Sequence, residues 1–183
     1  GGGLILRNEL YRGAIGAGAE LGHIVIDMDG PKCQGNCPNH GCVEAMASGT
    51  ALIREAARLA GERPDSGLAQ ALRDGRELEV PLVTELAHDG DEAAVEVVEL
   101  IGQRLGVALA TLVNIFNPQV IVIGGSVTAA GELLLGPARA AVAERALVPN
   151  RDEVRIVGAH FGVEAGMIGA AALAFSGLEA GTR

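Results

Sequence analysis

Three cysteines fall within a ten-residue span, at positions 33, 37 and 42, and nine residues separate the first of them from His23. Three thiols cannot form a closed set of disulfides, and thiols clustered on one loop are the pattern of metal ligation. Together Cys33, Cys37, Cys42 and His23 supply the donor number and types of a closed, tetrahedral structural zinc site. Three thiolates and one neutral imidazole leave the loaded site with a net charge of about minus one, and the order of the loop then depends on the metal. His40, between Cys37 and Cys42, is a competing donor. The plainer alternative is three ordinary thiols beside a core histidine.

Two carboxylates flank this cluster, Glu20 before it and Glu44 after it. By position alone, Glu44 suits the acidic first turn of a helix and Glu20 the edge of a hairpin. Asp27 and Asp29 read as solvating a turn. Two glycine turns, Gly1-Gly2-Gly3 and Gly124-Gly125-Ser126, offer backbone amides that can approach phosphates without any side-chain charge. Each is also what an ordinary tight turn requires.

The elements that must position these groups follow from pattern. Gly3 to Leu6, a polar turn and a returning segment to Arg12 read as a hairpin, and Ile24 to Ile26 as a short strand. The segment from Cys33 to Cys42 carries Gly35, Pro38, Asn39 and Gly41 and reads as a loop. Helical spacing begins at Val43, with a break at Ser48-Gly49, and runs to Ala60. Shorter helices are expected over 68–72 and 80–87. A long one opens at Asp89-Gly90-Asp91-Glu92, with acids where the helix dipole favours them, and stops at Asn117-Pro118. Its second half, from Leu105 to Phe116, is almost wholly apolar and reads as buried on most sides. Val120 to Ile123 is a β-branched run expected as a central parallel strand ending in the second glycine turn. A helix over 131–147, a strand over 154–157 and an Ala-rich helix over 166–178 complete the pattern.

Composition bounds the function. At 183 residues the chain is long enough to bury an apolar core as one domain, and its aromatic share of 2% leaves that core to Ala, Val, Leu and Ile. With 23 acidic against 14 basic residues, a net charge of -9 and no basic run, the attraction to a phosphate backbone is missing, so no nucleic acid partner is expected. No apolar stretch reaches membrane-spanning length and no leader opens the chain, so no membrane partner is expected and the location reads as cytoplasmic. The chain starts at Gly1 without an initiator Met, as a fragment entering mid-fold would.

From Glu20-Leu21-Gly22-His23 through Cys42-Val43-Glu44 to Ser48-Gly49, the sequence resembles the signature of the ROK family (repressors, open reading frames, kinases). That signature runs E-x-G-H, then C-x-C-G-x-x-G-C-x-E and a later S-G. Gly1-Gly2-Gly3 with Leu4 to Gly13 is similar to the family's second phosphate loop and hairpin, and Asn114 to Pro118 with Ile121 to Ser126 to its helix end and adenosine-side turn. One departure stands out: Cys33 and Cys37 are separated by three residues where the family has one. It reads as a two-residue insertion and leaves Cys33 the ligand that the match supports least.

The resemblance implies an α/β fold, a ribonuclease-H-like lobe of the actin and hexokinase type, with a mixed sheet flanked by helices and a zinc-bearing loop. Residues 1–183 would form one domain, the C-terminal large lobe of a sugar kinase, with the N-terminal lobe outside this chain. It implies sugar contacts by Glu20, His23 and Glu44, phosphate contact by Gly1, Gly2 and Gly3, and adenosine or ribose contact by Gly124, Gly125 and Ser126. The implied activity is that of an ATP-dependent hexose kinase, a glucokinase, with zinc structural, ATP and Mg serving the full-length enzyme, glucose as substrate and a homodimer as the assembly. The family's catalytic aspartate and first phosphate loop lie upstream of the glycine run, so no catalytic residue is assigned here and the isolated chain is expected not to turn over. The family's repressors offer the second reading, a sugar-sensing, dimerising lobe.

Overall fold

The computed structural model describes residues 1–180. It opens with a tight hairpin in which β1 (Ile5–Leu6) runs antiparallel to β2 (Glu9–Leu10). Arg7 and Asn8 between them sit at φ 56° and 64°, the left-handed pair whose twist matches that of the flanking strands. The glycine-rich stretch that follows ends in a 3-10 turn at Leu21–His23.

Helices make up most of the rest. α1 (Val43–Ala47) and α2 (Gly49–Glu62) are separated at Ser48, as expected, and Ser48 Oγ accepts from Ala51 N at 3.2 Å. The residue that breaks the first helix therefore caps the second. α3 (Gly67–Arg73) and α4 (Val80–His88) lead to α5 (Glu92–Phe116). Asp91 caps α5 by accepting from Ala94 N at 2.9 Å, and its other oxygen accepts from Gly67 N at 2.6 Å. One carboxylate thus starts α5 and anchors α3. Asn117, in the left-handed conformation at φ 43°, ends α5 where Asn-Pro predicts a stop.

The sheet is smaller than the sequence pattern suggests. β3 (Val120–Ile123) leads through a 3-10 turn at Ser126–Ala130, α6 (Glu132–Arg145) and α7 (Asn150–Glu153) to β4 (Arg155–Gly158), with which it pairs in parallel. α8 (Ala165–Ala180) closes the described chain. Strand pairing of both senses is present, as two separate two-stranded sheets. β3 is parallel but not central: among the described residues it pairs only with β4. Its Ile121 and Ile123 pack on the helical core, while Val122 stands 57% exposed on the other face. A β-branched run cannot distinguish burial on one face from burial on two.

The core lies along α5. Its N-terminal half joins Leu52, Leu68, Val83 and Leu134 around Val97 and Ile101. Its C-terminal half joins Val142 and Ile156 around Leu109 and Val113. α6 meets α5 at backbone distance: a Cβ on Gly102 would stand 2.4 Å from the Leu134 carbonyl oxygen. One on Gly106 would stand 2.5 Å from both the Ala138 oxygen and Ala141 Cβ. No described helix is long and apolar enough to cross a membrane.

One charged side chain enters this core. Glu55 of α2 is 7% exposed and receives Arg104 from α5 at 2.9 Å, Arg58 at 3.0 Å and Arg54 at 3.3 Å. Burial pushes its carboxyl up, but the hydrogen bonds of Arg104, Arg58 and Arg54 and the charge of Arg104 together outweigh it and hold it at about 2.

Two outcomes are expected. Gly106→Ala costs about 1–3 kcal/mol by forcing the helices apart, read as a lower Tm by calorimetry; an unchanged Tm would mean that the backbones do not touch. Glu55's folded value lies below its ordinary 4.5, so its stabilising contribution is whole above that pH and disappears as pH falls through about 2. Across that window the wild-type Tm falls more steeply than that of Glu55→Gln, and parallel curves would refute the ion cluster.

Candidate metal centre

The cysteine segment doubles back as an antiparallel ribbon. Bridges join Val25 to Cys42 and Lys32 to His40, and Cys33 N donates to Asn39 O at 2.9 Å. Ile26 N and Gly41 N complete the neck, donating to Gly41 O at 2.9 Å and Pro31 O at 2.8 Å. The strand expected over Ile24 to Ile26 is reduced to the single bridge at Val25. Gly41 sits at φ +60°, and a Cβ there would lie 1.6 Å from the Asp27 carbonyl oxygen. Opposite it, a Cβ on Gly30 would lie 2.7 Å from Gly41 Cα, so only glycines allow the two strands to cross this closely.

This neck brings four donors together. His23 ends the 3-10 turn, Cys42 immediately precedes α1, and Cys33 and Cys37 ride on the ribbon. Their donor atoms all lie within 4.8 Å of one another. Cys37 Sγ and Cys42 Sγ are 3.8 Å apart, and His23 Nδ1 is 3.5 Å from Cys33 Sγ. All three cysteines are free, and a disulfide would need about 2.05 Å between sulfurs. Tetrahedral zinc with Zn–S bonds of about 2.3 Å sets its sulfurs about 3.8 Å apart, so the spacing fits the ion. Cys33, the donor that the spacing supports least, is in the cluster. His40 is not: it is exposed, with Nδ1 3.3 Å from the Gly30 oxygen.

Electrostatics also suit a cation. Burial, reinforced by the neighbouring thiols of Cys33 and Cys37, pushes Cys42 up to about 12. A backbone hydrogen bond from Asn39 pulls Cys37 down. Adding negative charge to so tight a sulfur cluster is unfavourable until a metal neutralises it, whereupon the thiols give up their protons. Zinc held by His23, Cys33, Cys37 and Cys42 would supply a structural crosslink with no open coordination position.

The other face of the His23 ring looks outward. Nε2 stands 3.8 Å from Glu44 Oε2, and the two side chains are 36% and 38% exposed. They border an open depression shared with Gln34, Asn36, Cys37, Pro38 and Asn39. The sequence pattern marked Asn39 only as a loop residue and passed over Gln34 and Asn36; the density of amides between the cysteines was the available signal. Glu20 is exposed one residue before the 3-10 turn, its carbonyl accepting from His23 N at 3.1 Å, and it does not line the depression.

The two glycine turns lie against different elements. Gly1 to Gly3 are exposed and run beside the 3-10 turn, where a Cβ on Gly2 would stand 2.8 Å from Leu21 Cδ1. Gly124, Gly125 and Ser126 follow β3 and are exposed; Gly125 sits at φ 100°, and Thr128 Oγ1 donates to its carbonyl at 2.6 Å. A Cβ on Gly49, the first residue of α2, would stand 3.6 Å from Ser126 Oγ. The Ser48-Gly49 break therefore places the start of α2 against the second glycine turn.

Comparison with known proteins places these features in context. The family model described as "ROK family" matches residues 1–176. A glucokinase of Thermotoga maritima is 35% identical over 174 residues, which are 94% of this chain and 54% of that protein. An N-acetylglucosamine repressor of Escherichia coli O157:H7 is 32% identical over 164 residues, 86% of this chain and 37% of its own length. The crystal structure of a ROK family glucokinase from Streptomyces griseus, in complex with glucose and AMPPNP, superposes with a TM-score of 0.85 at 36% identity, covering 94% of this chain and 56% of that one. The chain thus spans about half the length of the glucokinases it matches.

Gly41→Ala is expected to open the neck and abolish stoichiometric zinc in freshly purified protein, as measured by elemental analysis. Zinc retained at the wild-type level would show that the crossing tolerates a side chain.

Proposed function

The chain belongs to the ROK family, and we propose that it is the sugar- and zinc-binding lobe of an ATP-dependent hexose kinase, a glucokinase whose full-length form converts glucose to glucose 6-phosphate. The observation that carries this reading is the two-sided placement of His23. Its Nδ1 lies among the sulfurs and its Nε2 beside Glu44 in an open, amide-lined depression. His23 would hold zinc through Nδ1, which would leave the ring proton on Nε2 to donate to a sugar hydroxyl while Glu44 accepts from a neighbouring one. Glu20 stands outside the lining of the depression, and its proposed role is that of a second carboxylate for a ligand that extends beyond it.

ATP would approach from the glycine turns, its phosphates toward Gly1 to Gly3 and its adenosine or ribose toward Gly124, Gly125 and Ser126, with Mg accompanying the phosphates. The general base and the opposing phosphate cradle belong to residues outside this chain. The assembly proposed is a cytoplasmic homodimer of the full-length protein. A sugar-sensing lobe of a repressor is the alternative, favoured by the 32% identity to the N-acetylglucosamine repressor. An upstream catalytic aspartate and phosphate loop would select the kinase, an upstream helix-turn-helix the repressor.

Three measurements test the reading. Elemental analysis should find stoichiometric zinc. Glucose should shift the imidazole resonances of His23, and Glu44→Gln should weaken that response about tenfold or more, as loss of a charged hydrogen-bond acceptor does. A coupled assay on the isolated chain should show no turnover at ordinary enzyme rates. Zinc-loaded protein whose His23 resonances ignore saturating glucose would remove the sugar-binding assignment.

A further inference from the structure

α1 cannot hold its own orientation. Its five residues make little more than one turn, far below the length at which a helix persists in water, and Ser48 leaves it at ψ 175°. Its last carbonyls therefore lack amide partners within the helix. Two are met by guanidinium groups: Arg54 Nη1 donates to Ala45 O at 2.9 Å, and Arg104 Nη1 reaches Met46 O at 3.5 Å. Both arginines are in turn oriented by Glu55, which binds Arg54 at 3.3 Å and Arg104 at 2.9 Å. Arg58, at 3.0 Å, occupies the other carboxylate oxygen.

Helix packing alone does not account for this cluster. A buried ion network is seldom more stabilising than apolar residues of the same volume, whereas carbonyls at a fixed point can be held only by donors that are themselves fixed. Met46 extends the connection: a Cβ on Gly30 would stand 3.1 Å from Met46 Sδ, so the residue held by Arg104 also sits under the neck of the cysteine ribbon. At the other end of the same short helix stand Cys42 and Glu44.

We propose that Glu55 is a positioning residue for the metal centre: through Arg54 and Arg104 it fixes the C-terminal end of α1, and so sets where Cys42 and Glu44 stand at its beginning. This rests on the assignment of Cys42 as a zinc ligand and Glu44 as a sugar contact given above. Tying one turn of helix at its far end restricts its rotation, which would otherwise displace the Cys42 sulfur and the Glu44 carboxylate together.

Cobalt(II) substituted for zinc tests the proposal, because its absorption bands report ligand geometry as well as occupancy. The chain is titrated with cobalt and then zinc as wild type, Glu55→Gln, Arg54→Ala and Val83→Ala, the last a core truncation in α4. Glu55→Gln is expected to bind cobalt about tenfold more weakly, the low end of the loss when a group supporting a metal ligand is removed, and to shift the d–d bands. Arg54→Ala leaves Arg58 and Arg104 on Glu55 and should shift the same bands by less; it decides the matter where Glu55→Gln does not fold. Val83→Ala should lower Tm and leave the bands in place. Unshifted bands with undiminished affinity in both brace variants overturn the proposal, as does an equal shift in Val83→Ala. A wild-type chain that takes up neither metal overturns the metal assignment and this proposal with it.

Discussion

Three sulfurs and an imidazole nitrogen crowded within 4.8 Å gain little from one another as neutral groups and repel as anions. A divalent cation would make that convergence favourable, and the sulfur spacing fits one. The ribbon that carries two of the thiols is held by backbone hydrogen bonds at its neck and, beyond it, by the Asn39 backbone on Cys37. A structural metal here would do for a polar, glycine-rich segment what an apolar core does for the helices.

The helical scaffold supplies the fixed frame against which such a segment can be set. α5 runs past both clusters of the core, and its glycines at 102 and 106 let α6 approach to backbone contact. The same helix contributes Arg104 to the cluster of charges around Glu55. Rigidity therefore passes from the long helix to the one-turn α1, and from there to the neck of the ribbon. A binding side chain on a one-turn helix is only as well placed as the contacts that stop the turn from rotating.

The two glycine turns meet this frame differently. Gly1 to Gly3 lie against the 3-10 turn that carries His23, whereas Gly124 to Ser126 lie at the end of β3, against the first residue of α2. The Ser48-Gly49 break is thus a junction: α1 faces the cysteine ribbon, α2 begins beside the second turn, and the serine between them caps the latter.

Sequence alone determined whatever depends on residue type and short spacing: the candidate donors, the acids beside them, the break at Ser48, the acidic opening of α5 and the stop at Asn117. These are decided within a few residues of the chain, where φ/ψ preference and capping chemistry act. Tertiary structure alone decided which donors face inward. Cys33 joins the cluster and His40 turns to the Gly30 carbonyl because Gly30 and Gly41 cross in backbone contact, which no local pattern prescribes. It likewise left one face of β3 open, where a β-branched run suggested burial on both, and it brought Arg104 across 49 positions to Glu55. Long-range contacts of this kind are set by how the helices pack, and the composition of any one segment carries no record of them.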